Sequence, residues 1–285
     1  MSKLDELIKE LCPDGVIYKT VGDVCGLITD YVAAGSFADL REKVKYLDTP
    51  AFAQLVRTTD LKNNFSNKNF VYVSESAFRF LWRVNLDKEL LVLPNIGNCG
   101  EVYYITPDQL PFSNNVLGPN AILVRSETQS NRFLYYLFQA PEFQMQIYKI
   151  TSPTGQTKFN KTDLKKLVIP IPALSVQREI VRILDNFTEL TAELTAELTA
   201  ELTARKKQYA YYRNSLLTFG DGVEWRTLSD VLKIKNGKDY KQFKEGDIPV
   251  YGSGGIMTHI DTFVLDKPSV LIPRKGSVDK LYYVD

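Results

Sequence analysis

The residues with the most chemistry to offer lie in one short stretch and one turn. Gln156, Lys158, Asn160 and Lys161 fall close together, flanked by Lys149, Lys165 and Lys166, with Asp163 the only acid between 151 and 172. A side-chain amide donates and accepts at once on the edge of adenine, and an ammonium group meets guanine or phosphate. Pro153 and Gly155 are turn formers that would lift this stretch off a core. The turn Pro94-Asn95-Ile96-Gly97-Asn98 carries two more amides, and Arg57 opens a third polar stretch that runs through Lys62 and Lys68 with several asparagines between. Asn95, Asn98, Gln156, Lys158 and Asn160, with Arg57 and Lys161 behind them, are therefore the candidates for contact with nucleic acid. Spacing alone leaves a plainer reading for each: a solvated basic loop before a strand, and asparagines held in turns for backbone reasons.

Covalent and metal chemistry is poorly provided for. His259 is the single histidine, which nearly removes catalysis by Ser-His-Asp or Cys-His groups and metal sites of the His-rich kind. Neither a phosphate-binding G-x-x-x-x-G-K-[ST] run nor a G-x-G-x-x-G after a strand is present; Gly252-Ser253-Gly254-Gly255 lacks the following lysine and reads as a plain turn. Cys12, Cys25 and Cys99 form no C-x-x-C pair and are expected to be small buried thiols, reduced as in a cytoplasm. No apolar run reaches the ~18 residues of a membrane span, so no membrane partner is expected. The first residues, through Leu11, carry acids among their leucines and read as a short amphipathic helix, not a leader. Lys+Arg total 35 against 34 Asp+Glu, so any attraction to phosphate must come from local patches. The chain is expected to act with no nucleophile, metal or cofactor of its own.

The elements that must position these residues are organised by a duplication. Residues 14–24, from Asp14-Gly15-Val16 through Thr20 to Asp23-Val24, match residues 221–231, from Asp221-Gly222-Val223 through Thr227 to Asp230-Val231, at an offset of 207. Residues 92–105 match 271–284 at an offset of 179, with Gly97 against Gly276 and Tyr103-Tyr104 against Tyr282-Tyr283. Two matches in the same order point to one domain present twice, with loops of different length. In the second copy the amide turn becomes Pro273-Arg274-Lys275-Gly276. Nothing in it corresponds to the stretch from Thr106 to about Leu217, so the expectation is one full unit and a second cut short.

Between the copies runs a helical pattern. Val176, Ile180, Ile183, Leu184, Phe187, Leu190, Leu194, Leu198 and Leu202 recur at helical spacing, with no Gly or Pro from 173 to 219. Pro170 and Pro172 are read as ending the strand Leu167–Ile169, and Ser175 as the N-cap. Inside it Thr-Ala-Glu-Leu repeats three times over 191–202. Four residues turn ~400°, so the leucine line winds about the helix by ~40° per repeat. The array serves either as a plain helical spacer or as a ruler that gains ~6 Å per repeat. Leu190, Leu194, Leu198 and Leu202 are its expected partner-helix face. The region before it reads as mixed α/β, with strands near 70–73, 90–93, 102–105, 121–124 and 167–169 and helices at 131–138 and from Pro141 to Ile147.

The combination resembles the DNA-specificity subunit of Type I restriction-modification enzymes. The residues that carry the resemblance are Thr154-Gly155-Gln156-Thr157, Asp163-Leu164, Ile169-Pro170-Ile171-Pro172, Gln177, Ile180, the array 191–202 and Val250-Tyr251-Gly252-Ser253-Gly254-Gly255-Ile256. The resemblance implies an α+β (mixed α/β) target-recognition domain at 15–172 after a short helix at 1–14. A spacer helix at 173–219 and a partial second recognition domain at 220–285 complete the expected order. It implies sequence-specific binding of double-stranded DNA at a bipartite site, directing adenine methylation and restriction. The expected partners are methyltransferase subunits, which bring S-adenosylmethionine, restriction subunits, which bring ATP and magnesium, and a second copy of the chain. The alternative is a fragment that dimerises through its helix without specific recognition.

Overall fold

The computed structural model describes residues 2–152, 155–276 and 279–285. It divides into two compact units, Met1–Ala204 and Arg205–Asp285. The first unit opens with α1 (Lys3–Leu11), β1 (Ile17–Thr20), α2 (Val21–Val24), β2 (Leu27–Asp30), α3 (Phe37–Lys43), β3 (Ala53–Val56), α4 (Thr58–Lys62), β4 (Val71–Val73) and α5 (Glu75–Phe80). It continues through β5 (Leu90–Pro94), β6 (Tyr103–Ile105), β7 (Asn115–Leu117), β8 (Ala121–Arg125), α6 (Asn131–Gln139), α7 (Pro141–Ile150), α8 (Lys161–Lys166) and β9 (Val168–Ile171) to the long helix α9 (Leu174–Leu216). The chain is α+β, with a recognition-sized mixed domain running into a 43-residue helix.

The apolar strands β5 and β8 explain the layout. Both are fully buried apart from Arg125, and their side chains alternate between two cores. Leu90 and Val92 with Ala121 and Leu123 face one cluster, while Leu91 and Leu93 with Ile122 and Val124 face the other. Alternate residues of a strand point to opposite faces, so an unbroken apolar run means a sheet covered on both sides. That sheet is four-stranded, in the order β2-β8-β5-β6, with every pair antiparallel. On one side lies the sheet β4-β3-β7, in which β3 and β7 run parallel. On the other, α6, α7 and α8 close the second core, where the Phe138 and Phe143 rings stack 4.1 Å apart.

The chain's two ends of this unit meet in the pair β1–β9, with Ile17 opposite Ile171 and Thr20 opposite Val168. Proline does not end the strand here: β9 continues through Pro170 to Ile171. The reason is direction. Val168 N donates to Gln146 Oε1 at 3.0 Å and Gln146 Nε2 donates back to Val168 O at 2.9 Å, so that residue's polar groups point away from β1. Pro170, two residues on, turns its missing donor the same way, off the ladder. Ser175 is likewise not the cap of α9 but lies in its first turn, since the helix starts at Leu174 and Gln177 N already bonds Ala173 O. Of the cysteines only Cys25 is buried; Cys12 and Cys99 are partly exposed, because α1 and the turn after β5 lie at the surface. All three thiols are free, and burial pushes that of Cys25 up to about 12.

The second unit carries α10 (Leu228–Val231), the hairpin β10 (Ile248–Gly252) and β11 (Gly255–Ile260), and the pair β12 (Ser269–Leu271) and β13 (Tyr282–Val284). The Gly252–Gly255 run is the hairpin turn, as expected. Duplication is visible at the level of register. Leu90 faces Ile105 and Val92 faces Tyr103 in the first copy; Ser269 faces Val284 and Leu271 faces Tyr282 in the second, each residue displaced by the same 179 positions. Gly97 and Gly276, the corresponding turn glycines, both hold left-handed backbone at φ 86° and 75°. Thr20 Oγ1 bonds Asp23 Oδ2 at 2.6 Å at the start of α2, and Thr227 Oγ1 bonds Asp230 Oδ2 at 2.8 Å at the start of α10. The residues just before Thr227 are not strand, whereas Ile17–Thr20 are; the first copy supplies their partner from β9.

Candidate nucleic-acid interface

The two polar turns, about 60 residues apart in sequence, are stitched together in space. Gly97 N donates to Thr157 O at 2.8 Å, Thr157 Oγ1 donates to Gly97 O at 2.5 Å, and Phe159 N donates to Asn95 O at 3.0 Å. Isolated ladder contacts join Ile96 to Lys158 and Ser152 to Lys158. Phe159, 4% exposed, plugs the stitched pair into the second core. Gly97 has to be glycine on backbone grounds, since a side chain at φ 86° is strained.

Within this frame the candidate residues separate by what their side chains already do. Asn95 Nδ2 donates to Phe159 O at 3.1 Å, which makes it a stitch between the turns. Asn160 caps α8: its Oδ1 accepts from Asp163 N at 2.9 Å and its Nδ2 donates to Asp163 Oδ2 at 2.8 Å. With Lys166 also bonded to it, the Asp163 carboxyl is held below the usual range, Lys166 being the larger cause. Lys161 Nζ is 2.8 Å from Asp30 Oδ1 in a partly buried ion pair. Arg57 closes on Asp60, which is 2% exposed, through Nε at 3.0 Å and a terminal nitrogen at 2.7 Å, and reaches Asn69 O at 2.6 Å. Asp60 holds the guanidinium above its ordinary value.

Three candidates are left uncommitted. Among the described residues, the side chains of Asn98, Gln156 and Lys158 form no hydrogen bond or ion pair, and all three are exposed. Gln156 Nε2 lies 4.0 Å from the point where a Cβ on Gly97 would sit, so the Gln156 amide lies beside the first turn. Lys62 Nζ is 3.5 Å from Glu101 Oε1, which brings the third polar stretch against the same turn. Thr154, at the head of the Thr-Gly-Gln-Thr motif, and Pro153 lie outside the described residues, as do Ser277 and Val278 of the second copy's matching segment.

On α9 the leucine line is exposed: Leu190 by 60% and Leu194, Leu198 and Leu202 each by 56%. The threonines of the array do something that spacing did not reveal. Thr191, Thr195, Thr199 and Thr203 each donate a hydroxyl to the carbonyl four residues back, at 2.7–2.9 Å, so the array has no free hydroxyl donors. Sequence reasoning also passed over Gln144, Gln146, Arg132 and Asp185 as builders of the frame, because bonds between distant elements leave no periodic trace; only Gln177 stood out, as part of a motif.

Amides and a lysine thus stand exposed on two stitched turns, carried by an α+β unit that leads into a long helix. The profile of the Type I restriction modification DNA specificity domain family matches residues 13–204, and the chain belongs to that family. It is 39% identical over 161 residues to the Type I restriction enzyme EcoprrI specificity subunit of Escherichia coli, covering 50% of this chain and 39% of that one. Against the putative type I restriction enzyme specificity subunit S.HindORF215P of Haemophilus influenzae it is 37% identical over 165 residues, covering 53% of this chain and 42% of the other. The Type I restriction enzyme EcoR124I/EcoR124II specificity subunit of Escherichia coli is 52% identical over 96 residues, 30% of this chain and 23% of that relative. The chain thus spans less than half the length of each of these relatives. The S subunit of a Type I restriction-modification system from M. genitalium aligns at a TM-score of 0.44 and 17% identity, over 94% of this chain and 68% of that one. Among the described residues no helix is long and apolar enough to cross a membrane.

Proposed function

We propose that residues 15–172 read one half of a bipartite double-stranded DNA site, and that the chain acts as a specificity subunit directing adenine methylation and restriction by partner subunits. The observation that carries this reading is the group Asn98, Gln156 and Lys158, exposed and unspent on a rigidly stitched pair of turns. Amides and an ammonium held in fixed relation are what base edges and phosphates require. The chain contributes selection, not chemistry: methyltransferase subunits bring S-adenosylmethionine, and restriction subunits bring ATP and magnesium. A net charge of +1 suits a reader that leaves much of the grip on phosphate to those partners. A second copy of the chain pairs along the exposed leucine line of α9 and brings a further recognition unit.

The test is selection from a randomised duplex pool by the chain together with its methyltransferase subunit. An enriched split sequence is the expected result. Binding that only falls with salt and enriches nothing would overturn the reading in favour of a helical scaffold without recognition.

A further inference from the structure

The place where α9 leaves the first unit is sharply marked. Residues up to Asp185 are wholly or partly packed on most turns, whereas every residue from Asn186 to Tyr209 is exposed. The first Thr-Ala-Glu-Leu repeat begins at Thr191, less than two turns past that border. At the border itself sits a dense polar clasp. Asp185 accepts from Arg132 Nε at 2.8 Å and from the Tyr136 hydroxyl at 2.5 Å, and a second Arg132 nitrogen lies 2.7 Å away. The Arg132 guanidinium also lies 4.9, 5.2 and 5.1 Å from the ring centres of Tyr104, Tyr135 and Tyr136. Tyr104 in turn bonds Glu89 at 2.6 Å, which roots the clasp in the central sheet.

A second fixing lies eight residues upstream, ~12 Å along the axis. Gln177, with no exposed surface, donates Nε2 to Gln129 Oε1 at 2.7 Å and to Pro172 O at 2.8 Å, while its Oε1 accepts from Ser130 N at 3.2 Å. One attachment would leave the helix free to swing and to roll; two, both made to α6 and the loop before it, fix its direction and its rotation.

We propose that the Arg132–Asp185–Tyr136 clasp is the origin from which the helix measures: it sets the angle and rotational phase at which α9 leaves the recognition unit, and so determines the spacing between half-sites. This rests on the reading of the chain as a DNA-specificity subunit. A repeat that adds ~6 Å and ~400° translates into a defined spacing only if the helix starts from a fixed phase. The array begins just beyond the clasp, so its length can vary without touching any contact that holds the helix to the domain. Arg132 and Asp185 are positioning residues and touch no DNA.

The experiment selects duplexes in which two half-sites are separated by a random spacer of variable length. It uses the full chain with its methyltransferase subunit, as wild type, Tyr136→Phe, Arg132→Lys and a deletion of Thr195–Leu198. Tyr136→Phe removes one hydroxyl and keeps the ring, and Arg132→Lys keeps the charge but loses the planar fork. The expected result is unchanged half-site sequences with a broadened spacer distribution in both point variants: neighbouring lengths that wild type rejects about tenfold come within about threefold. The deletion is expected to move the preferred length and keep it narrow. A spacer distribution as narrow as wild type in Tyr136→Phe and Arg132→Lys, with melting temperatures unchanged, overturns the clasp while leaving DNA recognition standing. Failure of wild type to enrich any split sequence overturns recognition itself, and the clasp's role with it.

Discussion

Arg57 and Lys158 look alike in sequence, each a cation near asparagines, yet they answer differently to truncation. Arg57 is already spent on a nearly buried carboxylate and on the carbonyl of Asn69. Arg57→Ala strands the nearly buried Asp60 carboxylate, and losing its charge-assisted hydrogen bonds costs about 1–3 kcal/mol of stability. Its melting temperature should fall by several degrees, with half-site sequence preference unchanged in the folded protein. The Lys158 side chain is exposed and bonds nothing among the described residues, and its backbone contacts survive truncation, so Lys158→Ala should leave melting unchanged. Its effect appears in binding: a salt slope smaller by about one if it meets phosphate, or relaxed preference at one position if it meets a base. Thermal melts and salt-dependent DNA titrations of the two variants separate these roles. Identical behaviour of Arg57→Ala and Lys158→Ala in both measurements would sink the distinction.

Helix α1 shows how one element is held on another by charge. Lys3 Nζ lies 3.0 Å and Arg182 2.7 Å from the Glu179 carboxylate on α9, whose side chain is only 5% exposed. Arg182 foremost and Lys3 after it lower the Glu179 carboxyl from 4.5 to about 2. A depressed carboxyl contributes stability that is fully present above about 4.5 and is lost as pH falls towards 2. Amide exchange within α1 should therefore accelerate as pH is lowered through that window, beyond its intrinsic pH dependence, and Glu179→Gln should remove the excess. An α1 whose protection is the same at pH 5 and pH 2.5 in wild type would refute the linkage. The other elements show what a sequence makes legible. Strands β5, β6 and β8 announce themselves as apolar runs, and α6, α7 and the long helix through apolar residues at helical spacing. Strands β1, β2, β3 and β7 and the short helices α3, α4, α5 and α8 do not, since each is three to seven residues long and too short to show a period. The site was half legible: residue type pointed to Asn95, Asn160 and Arg57, but Asn95 is spent on a bond to distant Phe159, and Asn160 and Arg57 on acids only three residues on, Asp163 and Asp60, while Asn98, Gln156 and Lys158 remain free.

At the scale of the molecule the open question is what covers the leucine line. A helix from Leu174 to Leu216 in which residues 186–209 are all exposed is not a stable arrangement in water, because isolated helices draw most of their stability from packing. Phe187, Leu190, Leu194, Leu198 and Leu202 together offer an apolar strip, and each leucine fully buried adds ~1.5–3 kcal/mol. Charge along the helix favours a second copy in antiparallel register. Glu189, Glu193, Glu197 and Glu201 occupy one half, and Arg205, Lys206, Lys207 and Arg213 the other, so two copies crossing near Leu202 set acids against bases. Parallel pairing would set like against like. Threonine hydroxyls returned to the backbone and the small alanines leave nothing polar to strip of water at the contact except the glutamates, which lie at its rim. Sedimentation of the wild-type chain with its methyltransferase subunit should give a particle holding two specificity chains. Leu194→Glu with Leu198→Glu should reduce it to one, with the helical circular dichroism of the first unit retained. Added salt should weaken the wild-type pairing, since the acid–base match is solvent-exposed. A single chain per particle for the wild type at micromolar concentration would rule out self-pairing along α9.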